Sequence, residues 1–330
     1  MRAVPILLAV AFSLIATLVN AAGFPVTVRH SLGETTIAAT PQRIVSLGYN
    51  DQDFLYALGV SPIGVHEWWG AQPYATWPWA EPRRQELGAM PEVLMSPETN
   101  LEWVAAQKPD LIVATYYDLD QAMYQQLSRI APVVAAPAGF AVWQAPWQEQ
   151  LKLLDLATAG DTSRAEAIIA DLDARTTAVK DEFSSIVGKT GVVADFRDGQ
   201  FTLWNSSSAP SRFLLSFGMV FPEALDRLAD DTGWIRLSPE LIEMIDLDAV
   251  VWPIDSSTST RQQEIEAMSL YQTLRLPREG RSVWLDDGKG ILASALWFQS
   301  PLSIAYIIDK LPPMLASAVD GDPSTEVKTE

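Results

Sequence analysis

One segment near the middle of the chain constrains the fold more than any other. Ser163-x-x-Glu166 reads as a capping box, and Ala165, Ile168, Ile169, Leu172, Val179, Phe183 and Ile186 then recur at helical spacing until Gly188. About 24 residues at roughly 1.5 Å of rise each predict a rod of about 36 Å. The sequence on either side of it repeats one theme, short apolar β-rich runs alternating with helical patterns, which argues for βα units. Before the rod the runs are Ile44–Leu47, Ile63–Val65, Leu111–Thr115 and Val133–Ala136; after it they are Val192–Ala194, Phe201–Trp204, Ala249–Trp252 and Val283–Leu285. Asp51–Leu58, closed by Gly59, is one of the intervening helices. The expected fold is α/β, with two lobes and a stiff helix between them.

A short internal echo supports two similarly built lobes. Asn100-Leu-Glu102 is followed, eight residues after the glutamate, by Asp110-Leu-Ile-Val, and Pro239-Glu240 is followed at the same spacing by Asp248-Ala-Val-Val. Ala57-Leu-Gly59-Val and Ser216-Phe-Gly218-Met repeat in the same order. The expected division is a leader over 1–21, an N-terminal lobe over 22–160, the inter-lobe helix over 161–188, a C-terminal lobe over 189–312, and a disordered acidic, Pro/Ser/Thr-rich tail over 313–330.

The leader is read from Arg2, the apolar run Ala3–Val19, and the small residues around Val19-Asn20-Ala21. This is the pattern of a cleaved secretory signal peptide, and the run is short of the roughly 20 apolar residues that a membrane span needs. The absence of cysteine excludes disulfides, thiolate metal sites, a cysteine nucleophile and a lipid-anchored cysteine, so the expectation is a soluble periplasmic protein of a two-membrane bacterium. About 309 residues would remain, enough for two domains. A net charge of −18 argues against nucleic acid and anionic lipid as partners, and it requires any anionic ligand to be held by local positive charge.

Several residues then stand out as candidates. The loop from His66 to Trp79 carries Trp68, Trp69, Tyr74, Trp77 and Trp79, and loops run over surfaces, where clustered aromatics mark recognition. One reading folds half of these rings back as local core and leaves Trp68 or Trp69 for ligand. Tyr116 and Tyr117 follow the run Leu111–Thr115, at the carboxyl end of a strand, where open α/β sheets bind ligands. The same logic marks Trp204, and Trp297 in the last part of the chain. Arg197 and Arg212 are interior arginines able to reach an anionic ligand, or else to form surface salt bridges. Glu102 and Glu240 lie in the first turn of two expected helices, where acids complement the helix dipole; their matched positions suggest one docking acid per lobe. Two isolated histidines, His30 and His66, are too few for a metal-binding constellation. No Gly-x-Ser-x-Gly elbow or Walker loop occurs, and Gly288-Lys-Gly290-Ile-Leu-Ala293 matches a dinucleotide pattern only by chance. No catalytic residue, no protein metal ligand and no cofactor is expected.

Pro41-Gln-Arg-Ile-Val-Ser, Ala57-Leu-Gly-Val-Ser-Pro-Ile-Gly-Val65, Asn100-Leu-Glu-Trp-Val-Ala-Ala-Gln-Lys-Pro-Asp-Leu-Ile-Val113, Arg129-Ile-Ala-Pro-Val-Val134 and Ser303-x-x-Tyr-Ile-Ile-Asp-Lys-Leu311 together resemble the periplasmic binding proteins of iron-siderophore, haem and cobalamin ABC importers. The resemblance runs from about Pro41 to Leu311. It implies a class III periplasmic binding protein fold, two Rossmann-like lobes on one long helix, with the ligand in the cleft and only modest closure. It also implies that Glu102 and Glu240 meet arginines of a dimeric permease, and that Tyr116 or Tyr117 contacts ligand. The ligand arginine that hydroxamate binders of this family carry just before the Asn-Leu-Glu segment has no counterpart in Gly88–Thr99.

The expected function is that of a monomeric, non-enzymatic solute-binding protein that captures a ferric siderophore, whose iron stays wrapped by the siderophore, and delivers it to an inner-membrane ABC importer. Haem, ligated by a tyrosine or His66, and cobalamin are the alternatives within that importer type. An exported carboxylate-dependent hydrolase is the alternative of another class.

Overall fold

The computed structural model describes residues 23–96, 98–141, 143–255, 258–325 and 327. The leader expected over 1–21 lies outside them. Two five-stranded sheets carry the fold. In the first lobe β1 (Val26–His30) and β2 (Gly33–Ile37) form a hairpin, followed by β3 (Ile44–Ser46), β4 (Gly64–His66), β5 (Glu92–Leu94), β6 (Leu111–Ala114) and β7 (Val133–Ala135). These last five make a wholly parallel sheet in the order β5-β4-β3-β6-β7. The second lobe holds β8 (Gly191–Arg197), β9 (Gln200–Trp204), β10 (Trp234–Leu237), β11 (Ala249–Pro253) and β12 (Ser282–Leu285), in the order β10-β9-β8-β11-β12. Here β9 runs antiparallel to both of its neighbours.

The near-continuous apolar runs follow from burial on both faces of each sheet. On β6, Leu111 and Val113 pack with Phe54 and Leu55 of the helix Asp51–Ala57 and with Leu151 and Leu154 of the helix Trp147–Ala159. Ile112 and Ala114 point the other way, toward Val104 and Leu127 of the helices Leu101–Ala106 and Gln121–Leu127. On β11, Val251 packs with Phe213, Leu296 and Leu315, whereas Val250 and Trp252 pack with Ile242, Ile245 and Ile265. Period-2 alternation thus serves two cores per sheet.

The long helix is Ser163–Glu182, followed by a short 3-10 turn, Ser184–Ile186. Its first buried residue, Ala165, joins the core of the first lobe, and Leu172 and Val179 join a core that Phe213, Leu296 and Leu315 of the second lobe share with Tyr56, Trp77 and Trp79 of the first. It therefore bridges the lobes, but it is shorter than the rod expected up to Gly188, and the capping box does not form. Thr162, not Ser163, is the cap residue; its hydroxyl donates to Glu166 at 2.7 Å, and Asp161 accepts from the Ser163 backbone N–H at 2.9 Å.

The tail also departs from expectation. Leu311–Ala318 is a helix that buries Met314, Leu315 and Ala318 in the core of the second lobe. Leu311, Met314, Leu315 and Ala318 recur at helical spacing, a period that the flanking Pro312, Pro313 and acidic residues obscure. Among the described residues no helix is long and apolar enough to cross a membrane.

Candidate functional site

A cleft of about 680 Å³ opens between the lobes, within the usual range for small-molecule sites. The first lobe contributes Tyr49, Trp68, Trp69, Trp77, Tyr116 and Trp143 to its wall, and the second contributes Trp204, Trp234 and Trp297. These rings support one another. Trp68 lies edge-on to Trp69 and Tyr116 and stacks on Tyr49, whose ring also stacks on Trp143. Across the gap Trp204 meets Trp297 edge-on with centroids 4.5 Å apart. Gly70 is part of the same wall at φ 93°, where a Cβ would sit 2.5 Å from the Trp77 ring, so only glycine fits.

The Trp-rich loop divides its rings between core and cleft. Trp77 and Trp79 stack on each other and are 4 % and 8 % exposed. Trp79 donates its indole N–H to Asp53 at 2.6 Å. Trp68 and Trp69 are half-buried and face the gap. Tyr74 is not in the wall: its ring lies under the Arg84 guanidinium, 4.2 Å from it, and is 37 % exposed.

Adjacent residues leaving a strand point to opposite sides, and this separates the two tyrosines after β6. Tyr116 lines the cleft, and burial pushes its hydroxyl up to about 12 even though nearby Arg212 favours ionisation. Tyr117 turns away; its ring packs edge-on to Tyr49, and its hydroxyl accepts from Thr99 at 2.9 Å. Buried Asp51, at the start of the helix after β3, fixes this strand end. Its carboxylate accepts from the Thr115 backbone at 2.8 Å, the Thr115 hydroxyl at 2.6 Å and the Tyr116 backbone at 3.2 Å, and Gln150 donates to it at 2.9 Å. Burial raises the Asp51 carboxyl against the pull of those hydrogen bonds.

Charge enters from the second lobe. Arg197, the last residue of β8, reaches the wall with its guanidinium held by the buried carboxylate of Asp195, which Arg261 also approaches at 3.4 Å. Asp255 and Lys289 complete the charged lining. Arg212 is not in it. Its guanidinium donates to the backbone carbonyls of Gln144 at 2.8 Å, Ala145 at 2.9 Å and Ser207, so it fastens the Trp143 segment of the first lobe to the helix Ala209–Ser216 of the second. Burial holds its pKa below the ordinary guanidinium value.

Further polar contacts pin the lobes below the cleft. Asn50 donates to the Phe298 carbonyl at 2.7 Å, Ser300 donates to Asp53 at 2.8 Å, and the Trp69 indole donates to Ser294 at 3.1 Å. His66 is buried, with Nδ1 3.2 Å from the Leu47 carbonyl and Nε2 2.6 Å from the Ser96 carbonyl. It is not part of the cleft wall, so it does not present itself to a haem iron there. Glu102 and Glu240 are exposed, each the second residue of its helix, Leu101–Ala106 and the 3-10 helix Pro239–Ile245.

Six of the nine expected ligand residues therefore meet in one cleft: Trp68, Trp69, Tyr116, Arg197, Trp204 and Trp297. Tyr74, Tyr117 and Arg212 lie behind or beside it. Among the rings and charges of the wall, the sequence did not mark Tyr49, Trp143, Trp234, Asp255 or Lys289. Tyr49 and Lys289 follow β3 and β12, so the strand-end argument reaches both; Trp143 carries no comparable signal.

Known proteins resemble this chain in sequence and fold. The family model described as "Periplasmic binding protein" matches residues 44–287. The probable siderophore-binding lipoprotein YfiY of Bacillus subtilis (strain 168) is 27% identical over 271 residues, 79% of this chain and 80% of that protein. The achromobactin-binding periplasmic protein of Dickeya dadantii (strain 3937) is 25% identical over 267 residues, 78% of this chain and 83% of its own. The crystal structure of a periplasmic solute binding protein from Mycobacterium smegmatis (str. MC2 155) superposes with a TM-score of 0.78 and 32% identity, covering 89% of this chain and 98% of that one. Two lobes on a bridging helix, a cleft between them and a family match over most of the sequence lead to one conclusion: this chain belongs to the periplasmic binding protein family.

Proposed function

We propose that this protein captures a ferric siderophore between its lobes and delivers it to an ABC importer of the inner membrane. The observation that carries this reading is the aromatic cleft: nine rings from both lobes, interspersed with charged, amide and hydroxyl side chains such as Arg197, Lys289, Gln144 and Asn205, enclose about 680 Å³, which suits a bulky chelate whose iron is already fully coordinated. Among the described residues no group of three or more His, Cys, Asp and Glu is placed to hold a metal ion directly, so recognition falls on the siderophore shell. The siderophore-binding relative supports the same ligand class.

Delivery is assigned to Glu102 and Glu240. The two carboxylates occupy the same place in the two lobes, before β6 and before β11, the strands that flank each sheet's first parallel strand on the same side. One acid per lobe matches a two-fold symmetric partner with a basic socket in each half. In this reading the protein works as a monomer in the periplasm after removal of its leader.

Titration of the protein with ferric hydroxamate, catecholate and citrate chelates tests the capture step. Saturable quenching of tryptophan fluorescence by at least one of them, at one chelate per chain, is the expected result, since Trp68, Trp69, Trp204 and Trp297 all face the cleft. Lack of saturable quenching by all three classes contradicts the proposal.

A further inference from the structure

We infer that the chelate this cleft accepts is close to neutral, with at most a single net negative charge, as in tris-hydroxamate chemistry, and that highly anionic ferric chelates are excluded. The inference rests on the siderophore reading above and narrows it to a charge class.

The charges on and immediately behind the wall nearly cancel. Arg197 is tied to Asp195, and the second cation at that carboxylate, Arg261, is also engaged by Glu264 at 3.4 Å. Lys289 enters the wall beside Asp255, and its own turn is capped by the carboxylate of Asp287, which accepts from the Lys289 backbone at 2.9 Å. Arg212, the remaining cation nearby, spends its donors on three backbone carbonyls. On the wall Arg197 is held by a carboxylate, which leaves Lys289 to meet an anion, enough for a single negative charge and not for three. Three dianionic catecholates around ferric iron leave three negative charges, whereas three monoanionic hydroxamates leave none.

Two further features act in the same direction. The nine rings of the wall carry no formal charge with which to offset an anion. The whole chain carries −18, and its long-range field slows the approach of anionic ligands most at low salt. Burying an anion without a dedicated partner adds a desolvation cost that a neutral chelate avoids.

Calorimetric titration of the full chain with ferrichrome, a tris-catecholate ferric complex and ferric citrate, each at low and high salt, tests this. The neutral hydroxamate complex should bind at least about tenfold more tightly than either anionic complex. Its affinity should change less than about twofold with salt, because no net ligand charge is screened. Lys289→Gln should weaken either anionic complex more than the hydroxamate complex, and so widen the preference for the neutral one. Tightest binding of the catecholate or citrate complex overturns the charge assignment while leaving siderophore capture intact. Binding of none of the three defeats the siderophore reading itself, and this inference with it.

Discussion

The two lobes arrange five strands in the same order but connect them differently. In the first lobe the seventeen residues 47–63 separate β3 from β4 and include the helix Asp51–Ala57, enough for a right-handed crossover to a parallel neighbour. In the second, only Asp198 and Gly199 separate β8 from β9; both adopt positive φ, 50° and 76°, and close a tight antiparallel hairpin. The parallel lobe brings strand ends and their loops to the cleft and supplies six of its nine rings. The hairpin lobe brings Arg197 at the hairpin base, together with Asp255 and Lys289, which are all the charged residues of the wall. Connection length thus divides the wall: one lobe supplies most of its rings, and the other supplies its charged residues.

The lobes share one clasp that allows the comparison to be broken experimentally. Asp110 accepts from the backbone of Gln42 and Arg43, each at 2.8 Å, just before β3. Asp248 accepts from the backbone and hydroxyl of Thr190, each at 2.9 Å, just before β8, and pairs with Arg281 at 2.7 Å. Although burial works against it, those hydrogen bonds hold the Asp248 carboxyl below the usual carboxylate range. Asp248→Ala should cost about 2 kcal/mol in urea unfolding, since it removes the Thr190 clasp and one of the two carboxylates on Arg281, the other being Glu279 at 2.6 Å, whereas Asp110→Ala should cost about 1 kcal/mol because water replaces it. Equal losses would show that the two clasps do not differ as described.

A second experiment addresses the joint between the lobes. Burial lifts the Asp53 carboxyl to about 6, against hydrogen bonds from Trp79 and Ser300 that favour its ionised form. In the unfolded chain the ordinary value is 3.8, so the folded protein takes up this proton first. Stability from this group is complete below about pH 4 and is lost as pH rises through about 6, by roughly 2–3 kcal/mol. Unfolding curves across that window should show this loss in the natural protein and not in Asp53→Asn. An identical pH slope in both would remove Asp53 from the joint.

Smaller effects sharpen the division of work. Trp68→Ala should weaken chelate binding by about 2 kcal/mol, more than Trp234→Ala at the far side, as read by calorimetry. Glu102→Ala and Glu240→Ala should each leave stability within about 0.5 kcal/mol and affinity unchanged, and lower uptake in a transport assay. Loss of chelate affinity in either glutamate variant would place that acid in the site rather than at the permease.

Much of this was legible because apolar period and strand ends are local properties. Eight strands of the two sheets appear as apolar runs, whereas β5 and β10 do not: Glu92–Leu94 has three residues between Pro91 and a polar loop, and Trp234–Leu237 alternates with Arg236 on an edge. The long helix was visible by its period, but its start was set by Asp161 and Thr162 rather than by Ser163, a choice made by side-chain geometry. In the cleft, the strand-end rule identifies Tyr116 for the right reason. It also selects Trp204, although β9 runs antiparallel and the rule does not apply there; that ring reaches the wall by packing on Trp297. Arg212 looked like a ligand residue because interior cations are scarce. Its carbonyl partners, Gln144 and Ala145, lie nearly seventy residues away and carry no mark in the sequence.

In the proposed function the iron chelate sits between the lobes with rings of both on either side. Crystals of the protein grown with a saturating ferric hydroxamate, with iron located by its anomalous scattering, test it directly. A single iron peak is expected inside the cleft, flanked by Trp68 and Tyr116 on one side and Trp204 and Trp297 on the other. Iron bound on the outer surface of one lobe, with the cleft left to solvent, would contradict it.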